Sequence, residues 1–585
     1  IFSVVNGVLI RPLPYPDADR LAVIRETYSG DQVGSVSGPN FIDWRDRAHS
    51  FESMAASRGM AVSLVGAGEP QELSAALVSS DFFKTLGITP ILGRGFSSGE
   101  DQGQGTVAVI SETLWRNQFG ADSGLLGRTL DLSGKPYTVI GVAPASLGYP
   151  GRTQVWLPLG FGLARANDRD SHSYDVVGRL TPSATIQGGQ EELSTVARAL
   201  AAEYPDKNTG RDVRVVAFTA DTVGSIRPAL LLLCGAVGFV LLIACANVAN
   251  LFLARAATRQ REVAVRAALG ASRWRLVRQV MAEAIVLAVA GGILGLLVAS
   301  WSVDALIALK PAGIPRLDEI SIDSRVLAFT LLVSIVVGLA FGLAPALVAA
   351  ANDPAESFRG EGKGSSGSRR RSRFRAGLVV TQISLALVLL VGSALLIVSV
   401  RRLAGVDPGF KPEGAVSFQF TIPSAKYEDA KSQRGFVARV LERLEGIPGV
   451  EHAGAVFFMP LGQGNSNGDV SVEGDPPAEP GHERYAGFRI VSGRYLETMG
   501  ISVRQGRVLA KEDIEGGRQV AVVNQAFVRS FFGNRDPIGR RVTFGSASDE
   551  PKWMEVVGVV GDVHHNGLTM AADPEIYVPA EQLSP

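Results

Sequence analysis

Four stretches without a charged residue constrain this chain more than any other feature: Ala229–Ala254, Ala284–Val303, Val326–Asn352 and Ala376–Val400. They are 26, 20, 27 and 25 residues long. At a rise of about 1.5 Å per residue, each can cross a hydrocarbon core about 30 Å thick. A helix buried in a soluble core usually carries an apolar run of only about 10–14 residues, so four spanning helices are expected. The opening Ile1–Ile10, apolar apart from Ser3 and Asn6 and stopped by Arg11, reads as the last turns of a truncated fifth helix. Composition agrees: 19% of the 585 residues are charged, against about a quarter in soluble domains.

Orientation follows from the basic residues of the short connecting loops. Arg255, Arg259, Arg261, Arg266, Arg273, Arg275 and Arg278 lie between the first two spans, and Arg359, Lys363, Arg369, Arg370, Arg371, Arg373 and Arg375 follow the third. The loop between the second and third spans has Lys310, Arg316 and Arg325. Both arginine-rich loops are therefore expected in the cytoplasm, and the long hydrophilic regions on the opposite side. The organisation read from this is: end of a first helix 1–10, periplasmic domain 11–227, helix 228–254, cytoplasmic segment 255–283, helix 284–303, short periplasmic loop 304–325, helix 326–352, basic cytoplasmic linker 353–375, helix 376–400 and second periplasmic domain 401–585. The linker reads as a flexible element beside anionic head groups. With 57 basic and 57 acidic side chains the chain has no net charge, and no nucleic-acid partner is implied.

The two hydrophilic regions resemble each other. SSDFFKTLGITPILGRG from Ser79 lines up with SGRYLETMGISVRQGRV from Ser492, placing Gly87 opposite Gly500. VAVISETLWRNQFG from Val107 then faces VAVVNQAFVRSFFG from Val520, Leu126-Gly127-Arg128 faces Ile538-Gly539-Arg540, and TVIGVA from Thr138 faces EVVGVV from Glu555. Short β-branched runs followed by amphipathic stretches suggest α+β structure, with a turn at Ser133-Gly134-Lys135. The fold expected is a multi-pass α-helical membrane protein with two homologous α+β periplasmic domains. If the second half copies the first throughout, three further spans belong after it, and the chain is a fragment.

The run REVAVRAALGASRWRLVRQVMAE, Arg261 to Glu283, mixes apolar residues with arginines around Gly270-Ala271. A helix lying on lipid and a helix docked on a cytoplasmic partner explain it equally well. Gly291 with Gly295, and Gly338 with Gly342 and Ala346, form small-xxx-small faces suited to close helix packing. Asn247 and Asn250 suit interhelical hydrogen bonds. Two cysteines, Cys234 and Cys245, fall in one apolar stretch and give no disulfide framework.

The pattern basic-Glu-apolar-small-apolar-Arg followed by Ala-x-Gly-Ala resembles the coupling segment of permeases related to the cell-division protein FtsX and the macrolide exporter MacB. Arg261, Glu262, Val263, Arg266, Ala268, Gly270, Ala271, Gln279 and Glu283 occupy the matching positions, and Ala264 departs where the family commonly has Gly. The paired hydrophilic regions resemble the MacB-type periplasmic core domain. The duplicated layout, with the opening FSVVNGVLIRPLPYPDADRL, most resembles the acidobacterial duplicated orphan permeases. The resemblance implies a bacterial inner-membrane permease moved by a separate cytoplasmic ABC ATPase, with a possible periplasmic or outer-membrane partner, and no catalytic, cofactor or metal site of its own. Arg261, Glu262, Val263, Arg266, Gly270, Ala271 and Glu283 are then the coupling residues. An FtsX-like scaffold that regulates an envelope enzyme is the alternative.

The sequence contains no G-x-x-x-x-G-K-[ST] phosphate loop. The complete spans carry no titratable carboxylate or histidine for a proton relay. Gly464–Gly468 and Gly95–Gly99 match G-x-S-x-G by spacing, but neither has the strand before and helix after that a nucleophile elbow needs. His564-His565 lacks the spacing of a zinc site.

Overall fold

The computed structural model describes residues 2–28, 32–66, 70–100, 105–160, 168–224, 226–258, 273–309, 323–351, 366–423, 426–462, 464–479, 481–510, 513, 518–545 and 551–582. They form two compact units. One comprises residues 1–13 and 219–401, the other residues 14–218 and 402–585.

Long helices build the first unit: Arg227–Thr258, Arg273–Leu309, Ser324–Ala351 and Ser366–Ala404. Arg227–Leu251, Ile285–Leu309 and Arg375–Ala404 are long and apolar enough to cross a membrane, and Ser324–Leu339 is a shorter apolar stretch. Their large apolar side chains point outward: Leu232, Trp301 and Leu396 are all exposed. Such a surface suits lipid and not water. Asp323 caps the helix that follows it, its Oδ1 accepting from Val326 N at 3.0 Å, while Oδ2 accepts from Asn6 Nδ2 at 3.3 Å. Phe2 stacks on Phe329 with ring centroids 3.8 Å apart. The opening residues are therefore helical and packed on this unit, as the apolar start of the sequence suggests.

The second unit has two lobes, and each contains a closed ring of six strands. In the first lobe Phe51–Val65 pairs antiparallel with Gln71–Val78, which runs parallel to Val155–Pro158. That strand pairs with Val107–Ser111, then come Lys135–Ala143 and Thr129–Leu132, and the last pairs back onto Phe51–Val65. The second lobe repeats the circuit through Asn467–Val472, Tyr485–Gly493, Glu575–Pro579, Val520–Asn524, Met554–Val560 and Arg541–Phe544. The parallel pairs fall at corresponding places. Alternation of apolar side chains fills each interior: Val62, Leu73, Ile110 and Val139 in one, and Val470, Val523, Val556 and Ile576 in the other. A short helix seals the first ring. Ser111 Oγ accepts from Leu114 N at its start, and Gly120 ends it at φ +60°, where a Cβ would be strained.

The first lobe carries a further layer. Strands Asp212–Ala217, Leu21–Tyr28 and His172–Leu180 extend antiparallel from Phe51–Val65. Helices Gly38–Arg47 and Ile186–Glu203 cover them, burying Ile24, Phe41, Trp44, Val176 and Leu193.

Candidate functional site: the seam between the lobes

Glu26, near the end of the strand Leu21–Tyr28, is 1% exposed and anchors the seam from the first lobe. Its Oε1 accepts from Asn40 Nδ2 at 2.9 Å and from Ser37 N at 3.1 Å. Its Oε2 lies 2.9 Å from His172 Nε2 and 3.6 Å from Arg211 Nη1. Burial pushes this carboxyl up, but His172, Arg211 and Asn40 together outweigh it and hold Glu26 below the ordinary glutamate value. The surroundings are equally ordered. Arg169 reaches Asp43 at 2.6 Å and lies 3.8 Å over the Tyr204 ring, and Asn208 Nδ2 donates to Asn40 Oδ1 at 3.0 Å. A cavity of about 10 Å³ beside Glu26, Trp44, Asn208 and Arg211 has room for one water. Trp44 Nε1 and Asn208 Oδ1 have no other partner there.

The second lobe meets this cluster through Tyr485 and its neighbours. The Tyr28 and Tyr485 rings lie 5.0 Å apart. Asp469 sits across the ladder from Tyr485. Burial first, and then the like charge of Glu483 and Asp170, raise its carboxyl above the usual aspartate value against the pull of Arg211 and His172. Burial first, and then the charges of Asp469 and Glu483, raise the Tyr485 phenol as well, against the pull of Arg211. Beside these side chains the two backbones nearly touch. Gly210 and Gly481 have φ of +75° and +85°, and a Cβ on Gly210 would stand 2.5 Å from the Gly481 Cα. Thr421 Oγ1 donates to Glu72 Oε2 at 3.0 Å to make a separate lobe-to-lobe bond.

On the outer face of the second ring, opposite the interior side chain Ile576 and beside Val491 and Tyr495, lies a buried ionic network. Arg489 donates to Glu575 Oε1 through Nε at 3.0 Å and Nη2 at 2.8 Å, and the Tyr577 hydroxyl donates to Oε2 at 2.6 Å. Burial dominates and keeps the Glu575 carboxyl above its ordinary value despite Arg489. Burial, helped by Arg489, pushes His565 down to about 4. His565 is thus a neutral ring in the core, and His564 Nδ1 pairs with the Met570 carbonyl oxygen at 2.8 Å. No cluster of three or more metal-ligating side chains occurs among the described residues. Asn465, inside one G-x-S-x-G match, accepts from Arg489 at 2.9 Å, and the match opens a strand, not a helix.

Of the residues singled out in the sequence, Arg261, Glu262, Val263, Arg266, Gly270 and Ala271 lie outside the described residues. Glu283 lies on the helix Arg273–Leu309 with Gly291 and Gly295. A Cβ at either glycine would meet nothing within 4 Å, whereas one at Gly292 would stand 2.7 Å from Ser334 Oγ. The close approach of these two helices thus falls on the glycine between. Gly338, which is buried, Gly342 and Ala346 lie on the helix Ser324–Ala351. Cys234 and Cys245 are free thiols. The seam residues Glu26, His172, Arg211, Asp469 and Tyr485 carry no sequence signature, because their spacing along the chain is unrelated to their meeting in space.

The MacB-like periplasmic core domain family matches residues 1–196 and 382–585, and the FtsX-like permease C-terminal family matches 235–354. The chain belongs to the MacB/FtsX-like ABC transporter permeases. A macrolide export ATP-binding/permease protein MacB from Hahella chejuensis is 27% identical over 48% of this chain and 42% of its own length. Its namesake from Chlorobium luteolum is 28% identical over 58% and 51%. The chain therefore spans about half the length of the curated relatives it matches. The periplasmic region of MacB from Actinobacillus actinomycetemcomitans aligns at 12% identity over 38% of this chain and 95% of that one, with a TM-score of 0.28.

Proposed function

We propose that this chain is the multi-pass membrane permease of an ABC-type system in the bacterial inner membrane, and that motion driven by a separate cytoplasmic ATPase reaches two duplicated periplasmic lobes. The observation that carries this reading is the pairing of an FtsX-like helical segment at 235–354 with MacB-like lobes on either side of it, in a sequence without a phosphate-binding loop. The chain then performs no reaction itself. It transmits force for export or extraction of a substrate, and Arg261, Glu262, Val263, Arg266, Gly270, Ala271 and Glu283 form the coupling surface.

Glu262→Lys and Gly270→Pro are the test, since both alter that surface while leaving the apolar spans intact. Each is expected to insert normally and to lose co-purification with the ATPase and transport. Normal co-purification and transport by both variants would overturn the coupling assignment.

The polar character of the seam, with Glu26, His172, Arg211 and Asp469 in place of an apolar groove, favours a second reading. In it the lobes act as an FtsX-like scaffold that regulates an envelope enzyme. Loss of an enzyme activity in the envelope, with transport unchanged, on deletion of the gene would select that reading.

A further inference from the structure

One imidazole sets the charge of the face that the first lobe turns to the seam. His172 opens the strand His172–Leu180 and is half-buried. Its Nδ1 lies 3.0 Å from the Asp170 carbonyl oxygen, and its Nε2 lies 2.9 Å from Glu26 Oε2. A carbonyl and a carboxylate oxygen only accept, and a neutral imidazole has a single N–H, so only the imidazolium presents an N–H to both. A neutral ring would leave one nitrogen lone pair against an oxygen.

The elements around His172 leave its charge undecided by any other group. Ser37, its neighbour across the ladder, is uncharged. Helix Gly38–Arg47 brings Asn40 and Asp43, and Asp43 is taken by Arg169 at 2.6 Å. Lys207 holds Asp170 at 2.5 Å, and Arg211 Nη1 stands 3.6 Å from Glu26 Oε2. Glu26 and Asp170 thus offset Arg211 and Lys207, and the proton on His172 decides whether this face is neutral or carries one positive charge.

The opposing face is negative. Glu483 Oε1 accepts from Gly481 N at 2.9 Å, and Asp469 is half-buried with Arg211 and His172 as the positive charges acting on it. Among the described residues neither carboxylate forms an ion pair, since Arg484 pairs with Asp475 at 3.5 Å. His482 is exposed. The two faces meet where the Gly210 and Gly481 backbones touch, a contact with little room for screening water.

We propose that the seam is a proton-operated latch: the His172 imidazolium draws Asp469 and Glu483 to the first lobe, and loss of its proton lets the backbones at Gly210 and Gly481 part. A proton that the closed seam holds favours closure in acid, and that contribution is lost as pH rises. Asp469 works in the same direction, because burial, Glu483 and Asp170 raise its carboxyl. Glu26 works in the opposite sense but is held low, so it stays ionised in mild acid and weakens only below the ordinary glutamate value. The latch therefore closes in mild acid and loosens toward the alkaline side. It belongs to the lobes themselves and rests on neither functional reading of the chain.

The test is amide exchange of the purified chain in detergent at about pH 5.5 and about pH 8, the window in which an imidazole changes charge. Rates are corrected for the intrinsic effect of pH, with Val107–Ser111 as the internal standard. Residues 208–212 and 481–484 are expected to open on the order of 10-fold more often at the higher pH, while the standard stays constant. His172→Gln should open equally at both values, His482→Gln should keep the parent's ratio, and Asp469→Asn should slow opening at the higher pH. The parent's ratio is informative without any variant: a value near one would overturn the inference. So would a ratio that survives His172→Gln or disappears with His482→Gln.

Discussion

Gly210→Ala measures whether the lobes are held together at the point where their backbones meet. Gly210 and Gly66 both adopt positive φ, +75° and +83°, so alanine at either incurs left-handed strain, worth roughly 1–2 kcal/mol. They differ in surroundings. A Cβ at Gly66 meets nothing within 4 Å, whereas one at Gly210 stands 2.5 Å from the Gly481 Cα, a backbone atom that cannot rotate away. Ordinary contact between carbons begins near 3.5 Å, so the loops must part by roughly 1 Å. Overpacking of that kind costs about 1–3 kcal/mol beyond the strain. At about 1 °C per kcal/mol for a unit of about 390 residues, Gly210→Ala should melt at least about 1 °C below Gly66→Ala. Amide exchange should rise at residues 208–212 and 481–484 and not at Val107–Ser111. Gly481→Ala, whose Cβ would stand 2.9 Å from the Gly210 Cα, should behave alike. Equal melting of Gly66→Ala and Gly210→Ala would refute the close approach.

Four further outcomes follow from the seam, the second ring and the helices. Because the Asp469 carboxyl is raised in the folded protein, its contribution is favourable in acid and is lost as pH rises through its folded value. Asp469→Asn should therefore stabilise at pH 7 and match the parent below about pH 4, and a pH series of melting curves without a gain at neutrality would contradict this. Glu26 is depressed, so its stabilisation is present above the ordinary glutamate value and fades as pH falls below it. Glu26→Gln should melt lower at pH 7, with the deficit closing in acid. Arg489→Met leaves Glu575 buried without its partner, which costs about 3–5 kcal/mol, and adding Glu575→Gln should recover part of the loss in a double-mutant cycle. In the membrane unit Gly292→Leu should weaken the packing against Ser334 while Gly291→Leu should not, as read from detergent stability of the purified chain.

Hydropathy made the helical unit legible, because a lipid-spanning helix declares itself by length and lack of charge alone. The recurrence around Gly87 and Gly500 is likewise visible in the sequence, since those glycines follow short helices at φ +70° and +62°, where only glycine is unstrained. Ring closure was beyond reach: it depends on Leu64 meeting Leu132 and Val470 meeting Phe544, register choices that alternation alone does not select. The seam was more hidden still. Tyr28 and Tyr485 are 457 positions apart, and Gly210 and Gly481 read locally as ordinary turn residues. A small-residue stripe could be seen in the sequence, but the rotation of the helix about its axis decides that Gly292, and not Gly291 or Gly295, faces its neighbour.

The circular strand order of each lobe has a mechanical consequence. A sheet with two open borders can fan or slide along its ladders under load, because the outermost strands are bonded on one side only. In a closed circuit every strand is laced to two others, so displacing any one strand would break bonds on both flanks. A pull delivered at the chain entering Leu21 or leaving Ala217 would therefore load the open outer layer first, strand by strand from Asp212–Ala217 through Leu21–Tyr28 and His172–Leu180, and would reach the first lobe's rigid hoop only at Phe51–Val65.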